Sequence, residues 1–332
     1  MEMIQTRGVE VDCYAQIFKG VKLKKQDLIL PIFVSEKSDK SPLEMDPIYG
    51  LTKILMKDLC LHVQRIIEQG ISSVILFGVP EKRDISGSSA LKKEGVVQMS
   101  TKKIKREFGG QVKIITDVCI CQYNLSGHCG LAKSRKGSGG VIDNDSTLTL
   151  LSKIAASHAE AGADIVAPSS MMDGQVNHIR SALDNNGFKN TKIMAYSAKH
   201  ASSLYSPFRM TTFSKRINSY TNIDKSSYQI GYANPRQVIR EIEADIQEGA
   251  DMIMIKPSLA YLDVVAMVHE GSDFPLVVQS VSGEYAMIKS AARKGWIEEE
   301  EWKVNSIAAM KRAGAHNIIS YFSLDITKYL DG

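Results

Sequence analysis

Residues 235–257 read Pro235-Arg-Gln-Val-Ile-Arg-Glu-Ile-Glu-Ala-Asp-Ile-Gln-Glu-Gly249-Ala-Asp-Met-Ile-Met-Ile-Lys256-Pro257. An amphipathic stretch stops at a glycine, turns, and enters a short apolar run. That is a helix ending on a glycine cap and feeding a strand. The run is continuously apolar rather than alternating, as expected of a strand buried on both faces of a parallel sheet. The same junction recurs at Glu68-Gln-Gly70, Glu160-Ala-Gly-Ala-Asp164 and Arg312-Ala-Gly-Ala-His316.

Outward from that unit, eight β-rich runs stand out, at 27–34, 71–78, 112–118, 163–168, 192–197, 250–256, 275–280 and 317–321. Helical patterns such as 56–69, 146–162, 235–249 and 299–314 lie between them. Strands and helices alternating eight times fit an α/β fold of the (β/α)8 TIM-barrel type. A doubly wound open sheet is the competing reading, but no Gly-x-Gly-x-x-Gly or P-loop follows an early strand. The expected organisation is a barrel over 27–332 preceded by an extended N-terminal arm, 1–26, long enough to embrace a neighbouring subunit. Two long connections, 122–145 and 202–234, leave the carboxyl ends of strands three and five. Connections of this length are commonly functional lids, and that end is where such barrels build active sites. Asp173-Gly174 reads as the cap of the following helix.

The chain has 332 residues, 44% hydrophobic and 23% charged, which suits a soluble globular protein. Forty-one basic against 37 acidic residues leave a net charge of +4. That is too mild for a nucleic-acid binder, and no basic run is present. No apolar stretch approaches the roughly 20 residues of a membrane span. Residues 1–10 lack the apolar run of a signal peptide, so a cytoplasmic protein is expected. Five cysteines in a reducing compartment argue against a disulfide framework.

Three of those cysteines fall within Cys119-Ile-Cys121-Gln-Tyr-Asn-Leu-Ser-Gly-His-Cys129. They can supply three soft ligands to zinc and leave a position open for water or substrate, as catalytic zinc sites do. His128 is a candidate fourth ligand, and three buried apolar thiols are the plainer alternative. Two lysines end strands, in Met194-Ala-Tyr-Ser-Ala-Lys199 and Met252-Ile-Met-Ile-Lys256-Pro257. Burial and a second nearby cation both lower a lysine's pKa and free a neutral amine to attack a carbonyl. Each alone is as readily a solvated charge at the barrel rim. Arg209 and Lys225 are candidate carboxylate binders, the first as a bidentate fork and the second as a point charge. Ser282 and Tyr321 end strands seven and eight. Tyr205, Phe208 and Gln229 lie in the same segments as Arg209 and Lys225 and are candidate substrate contacts. Asp117 and Ser169 are placed to orient an amine or relay a proton.

At these residues the sequence resembles the porphobilinogen synthase (5-aminolevulinate dehydratase) family. The resemblance is carried by Leu28-Ile-Leu-Pro-Ile-Phe-Val34, Asp117-Val-Cys-Ile-Cys121, Gly127-His-Cys-Gly130, Met194-Ala-Tyr-Ser-Ala-Lys199, Met254-Ile-Lys-Pro257 and Val281-Ser-Gly-Glu-Tyr285. It implies a lyase that condenses two 5-aminolevulinate molecules to porphobilinogen, for tetrapyrrole (haem) synthesis. By the same resemblance Lys256 forms the Schiff base with the first substrate and Lys199 with the second. Arg209 and Lys225 fall where the family binds one carboxylate, and Ser282 and Tyr321 where it binds the other. Retention of all three cysteines implies zinc. Glu241 matches an allosteric magnesium ligand of part of the family, and the arm implies a homo-octamer. Lys225 replaces a usual arginine, Ser170 an aspartate, Gln175 an arginine, and Gln279-Ser280 a tyrosine with a polar neighbour. A Ser-Met-Pro-Gly loop reads Glu44-Met-Asp-Pro47. A Schiff-base barrel of the aldolase kind would leave the cysteines unexplained. A barrel that has lost catalysis and serves in binding or regulation is the other alternative.

Overall fold

The computed structural model describes residues 12–36, 53–135, 138–212 and 223–330. Eight strands form the barrel: β1 (Leu28–Ser35), β2 (Ser73–Val79), β3 (Lys113–Val118), β4 (Ile165–Pro168), β5 (Lys192–Lys199), β6 (Met252–Lys256), β7 (Leu276–Gln279) and β8 (Asn317–Ile319). Neighbours pair in parallel throughout. The ring closes where Leu28 and Ile29 of β1 meet Ile318 and Ile319 of β8. The fold is therefore the expected (β/α)8 barrel.

Alternate strand residues divide the core into two shells. Ile29, Phe33, Ile75, Phe77, Ile115, Met194, Tyr196, Met254, Val277 and Ile319 fill the interior. Their chain neighbours, such as Leu30, Ile32, Val34, Val74 and Leu76, face outward against Leu59, Val63 and Ile66 of the helix Leu59–Glu68. Both faces being buried is why the runs read as continuously apolar. Helix–strand junctions turn on glycines in the left-handed region, Gly249 at φ +100° and Gly314 at φ +108°. At Gly314 there is no room for a side chain either, since a Cβ would lie 2.2 Å from His269.

Two sequence expectations change here. The connection 122–145 contains an antiparallel hairpin, Leu131–Arg135 with Ser138–Asp143. The helix Gln175–Asn185 is capped by Gly174 at φ +78°, not by Asp173. Asp173 instead exchanges two hydrogen bonds with Asn144, its N–H donating to Oδ1 (3.0 Å) and its carbonyl accepting from Nδ2 (3.1 Å). In the arm, the helix Asp12–Gly20 buries Phe18 and sets Tyr14 edge-on to Tyr329, 5.2 Å between centroids. Residues 1–11 and the 44–47 loop lie outside the described residues. Among the described residues no helix is long and apolar enough to cross a membrane.

Candidate active site

The site begins with a change of register. Met194 and Ala195 of β5 pair with Met252 and Ile253 of β6, but Ala198 and Lys199 pair with Ile255 and Lys256. One extra residue at Tyr196-Ser197 is a bulge, and a single insertion flips the side-chain parity beyond it. Met194 and Tyr196 face the interior, Ala198 joins the outer shell, and Lys199 turns inward. Lys256 is inward by simple alternation from Met254. The bulge is what puts both lysines, each 7% exposed, on the same side of adjacent strands.

Their surroundings differ. Lys256 Nζ lies 4.2 Å from the centre of the Tyr196 ring and 5.5 Å from that of Tyr205, and donates to Gln279 Oε1 at 3.2 Å. Burial, with repulsion from Lys199, lowers its pKa to about 7. Its backbone carbonyl accepts from His200 N (3.0 Å) and from the Tyr205 hydroxyl (3.2 Å). Lys199 donates to the Ser169 carbonyl and to Cys129 Sγ at 3.5 Å. Burial lowers its pKa too, but the sulfur cluster, Cys129 foremost, outweighs burial and raises it above the ordinary lysine value. Burial pushes both amines toward neutrality, and the sulfurs beside Lys199 separate the two. The sulfur cluster decides the sign.

The Sγ atoms of Cys119, Cys121 and Cys129 lie within 4.8 Å of one another, all buried. Among the described residues they are the one group of three or more potential metal ligands drawn together. Burial pushes the Cys119 thiol up to about 11, whereas hydrogen bonds from Cys119 and Cys121 hold Cys129 well below its usual value. Three soft donors with charge available at one of them suit zinc. His128 is not part of the cluster; its Nδ1 faces the Tyr228 hydroxyl at 3.0 Å, and that hydroxyl also accepts from Cys129 N at 3.3 Å.

A chamber with about 500 Å³ of empty space, part of it open to solvent, is lined by Asp117, Ser169, Lys199, Tyr205, Phe208 and Arg209. Cys121, Cys129, Lys225, Gln229, Lys256, Ser282 and Tyr321 complete it, joined by Phe77, Gln279 and Val281. Every catalytic and substrate-binding candidate read from the sequence borders this one space. Asp117 Oδ2 accepts from Gln122 Nε2 at 2.9 Å, while Oδ1 is buried without a partner. Burial raises its pKa against the pull of Lys256. Lys225 Nζ reaches the Gly127 carbonyl at 2.7 Å, next to the cysteine loop. Ser282 Oγ accepts from Phe208 N at 2.9 Å and so fixes the helix Ser206–Thr212, which carries Arg209.

A family model described as delta-aminolevulinic acid dehydratase matches residues 5–329. The chain belongs to the delta-aminolevulinic acid dehydratase family. It is 47% identical over 316 residues to the delta-aminolevulinic acid dehydratase of Archaeoglobus fulgidus, covering 95% of this chain and 94% of that one. The Bacillus subtilis enzyme of the same name is 42% identical over 318 residues, again 95% and 94%. Among solved structures, the Toxoplasma gondii delta-aminolevulinic acid dehydratase in complex with porphobilinogen superposes with a TM-score of 0.87. It is 36% identical, and the match covers 98% of this chain and 92% of that one.

The family departures can now be placed. Ser170 is fully buried with no partner for its hydroxyl, and Gln175 accepts from Met172 N at 3.4 Å. Glu241, the magnesium candidate, borders a different cavity with Asp173, Asp245 and Glu248. Burial, then Asp173 and Glu248, raise its pKa. Several contributors were not singled out from sequence. Glu284, fully buried, accepts from Ser258 N (3.0 Å), Ser258 Oγ (3.1 Å), Leu259 N (2.5 Å) and Val281 N (2.5 Å). It thereby ties the chain just past Lys256 to the chain just before Ser282. Arg83 donates to the Gln122 carbonyl at 2.7 Å and to the Thr212 carbonyl, joining the cysteine loop to the Arg209 helix. Glu284 lay inside a quoted family block, but an acid two residues into a helix reads as an ordinary first-turn charge.

Proposed function

We propose that this protein condenses two molecules of 5-aminolevulinate into porphobilinogen with loss of two waters, a hydro-lyase reaction of tetrapyrrole (haem) synthesis. The observation that carries the reading is the pairing of Lys199 with Lys256 across one chamber beside three gathered sulfurs. The substrate presents a carboxylate, a ketone and an amine, and the chamber offers a counterpart to each.

Lys256 is the first nucleophile, because its amine is neutral in a large share of molecules near pH 7. An unperturbed lysine would supply about one neutral amine in 2,500 at that pH. Its Nζ adds to the ketone of the first substrate, and the carbinolamine loses water to give an iminium. Lys199 takes the ketone of the second substrate in the same way. Arg209 and Lys225 hold one carboxylate; Ser282 and Tyr321 hold the other. Tyr205 and Phe208 supply apolar wall, and Gln229 adds a polar contact. Asp117 and the Ser169 hydroxyl receive and return protons beside the two amines. Holding both molecules in one cavity removes much of the entropic cost of their union.

Cys119, Cys121 and Cys129 would hold zinc, which when bound supplies Lewis-acid polarisation and offsets the thiolate charge that keeps Lys199 protonated. Glu241 would bind magnesium in the separate acidic cavity, and the N-terminal arm, 1–26, would contribute to a homo-octamer in the cytoplasm. The test is formation of a pyrrole from 5-aminolevulinate, with and without a chelator. Product should appear and should fall on chelation. Cys121→Ala should lose bound zinc and activity together, by at least ~tenfold. A chelated Cys121→Ala protein of full activity would remove zinc from the reaction. No pyrrole from zinc-loaded protein would favour a barrel that only binds.

A further inference from the structure

Gln279 ends β7, the strand next to β6, and is 3% exposed. Among the described residues its Oε1 is the hydrogen-bond acceptor of Lys256 Nζ, at 3.2 Å. The other groups around that amine are of two kinds. The Tyr196 and Tyr205 rings offer π faces without a defined direction. Lys199 on β5 repels, while Asp117 on β3 and Cys121 and Cys129 on the following loop attract through space. Gln279 alone is directional. An amide oxygen only accepts, and it neither ionises nor takes up a proton.

We propose that Gln279 is a positioning residue for Lys256: its amide oxygen holds one Nζ–H, aims the lone pair at the substrate ketone, and keeps that hydrogen bond in the iminium. The proposal rests on Lys256 being the Schiff-base lysine. In that step neutral amine, ketone and one proton from solvent give iminium and one water. The C–N bond forms as the C=O electron pair moves to oxygen. The oxygen leaves as water with the solvent proton and one of the two Nζ hydrogens. The hydrogen that stays on Nζ is the one Gln279 accepts, so the contact survives the chemistry. Because the acceptor cannot deprotonate the iminium, the carbon stays electrophilic. A carboxylate here would instead favour the ammonium form and delay attack.

The experiment is borohydride trapping of 5-aminolevulinate on the intact zinc-loaded protein across a range of pH, with the adduct on the Lys256 peptide quantified by mass. Wild type is compared with Gln279→Met, close in volume with only a weak thioether acceptor in place of the amide oxygen, and with Gln279→Glu, which keeps an oxygen acceptor and adds charge. Gln279→Met should lower the trapping rate and kcat together by about tenfold or more, with KM changed less than ~threefold. Gln279→Glu should move the midpoint of the trapping profile upward by ~1 pH unit or more. A Gln279→Met protein that traps at the wild-type rate at every pH overturns the proposal, as does a Gln279→Glu midpoint unmoved from wild type. If one variant fails to fold, the other decides. Absence of any adduct on Lys256 in wild type removes the Schiff-base reading itself, a result distinguishable from these.

Discussion

Lys256 and Lys199 are the same side chain in paired register, and their surroundings drive them in opposite directions. Burial and a neighbouring cation bring Lys256 down to about 7, while thiolate charge lifts Lys199 above its ordinary value. The amine that attacks must be neutral, and the neutral fraction of Lys256 grows as pH rises through about 7. Formation of the first Schiff base is therefore expected to be slow below pH 6, to rise through neutrality and to level off above pH 8. Rapid-quench trapping against pH reads this directly; a profile that keeps climbing toward pH 10 would mean an unperturbed lysine. The sequence located both lysines at strand ends beside a cysteine cluster. It could not give the sign at Lys199, because that depends on a sulfur 3.5 Å away that is 70 residues distant in the chain.

Single residues are aimed by the elements that carry them. The β5 bulge is invisible to hydrophobic pattern, since Tyr196, Ser197 and Ala198 are all buried and read as one run. The strands and flanking helices, by contrast, were legible, because burial on both faces and glycine caps leave marks in composition. The hairpin in 122–145 was not, being a short polar pairing with little periodicity. Glu284 links two such elements. Its four donors come from the loop after β6 and from the residue before the helix Ser282–Arg293. Glu284→Gln presents an amide N–H₂ to some of those N–H groups and leaves them unsatisfied. It should cost ~2 kcal/mol of stability by denaturant unfolding and lower kcat as the Lys256 and Ser282 ends separate. Unchanged stability would show the carboxylate to be replaceable by any acceptor of its shape.

At the scale of the molecule, barrel closure brings residues from 77 to 321 into one chamber. Leu28 meeting Ile318 converts a linear series of strands into a ring, so that strands three, five, six, seven and eight all deliver side chains to the same mouth. The alternation of elements made that ring readable from sequence, and the family blocks gave most of its lining. What the sequence left open was the division of space: Glu241 faces a separate acidic cavity, and Gln229 lines both. The central claim is that an amine on β6 takes the substrate ketone covalently. Borohydride reduction of the protein with 5-aminolevulinate, followed by peptide mass mapping, tests it. The expected result is a reduced adduct on the peptide carrying Lys256, lost in Lys256→Ala. An adduct elsewhere with Lys256 unmodified, or none in protein that makes pyrrole, would contradict it.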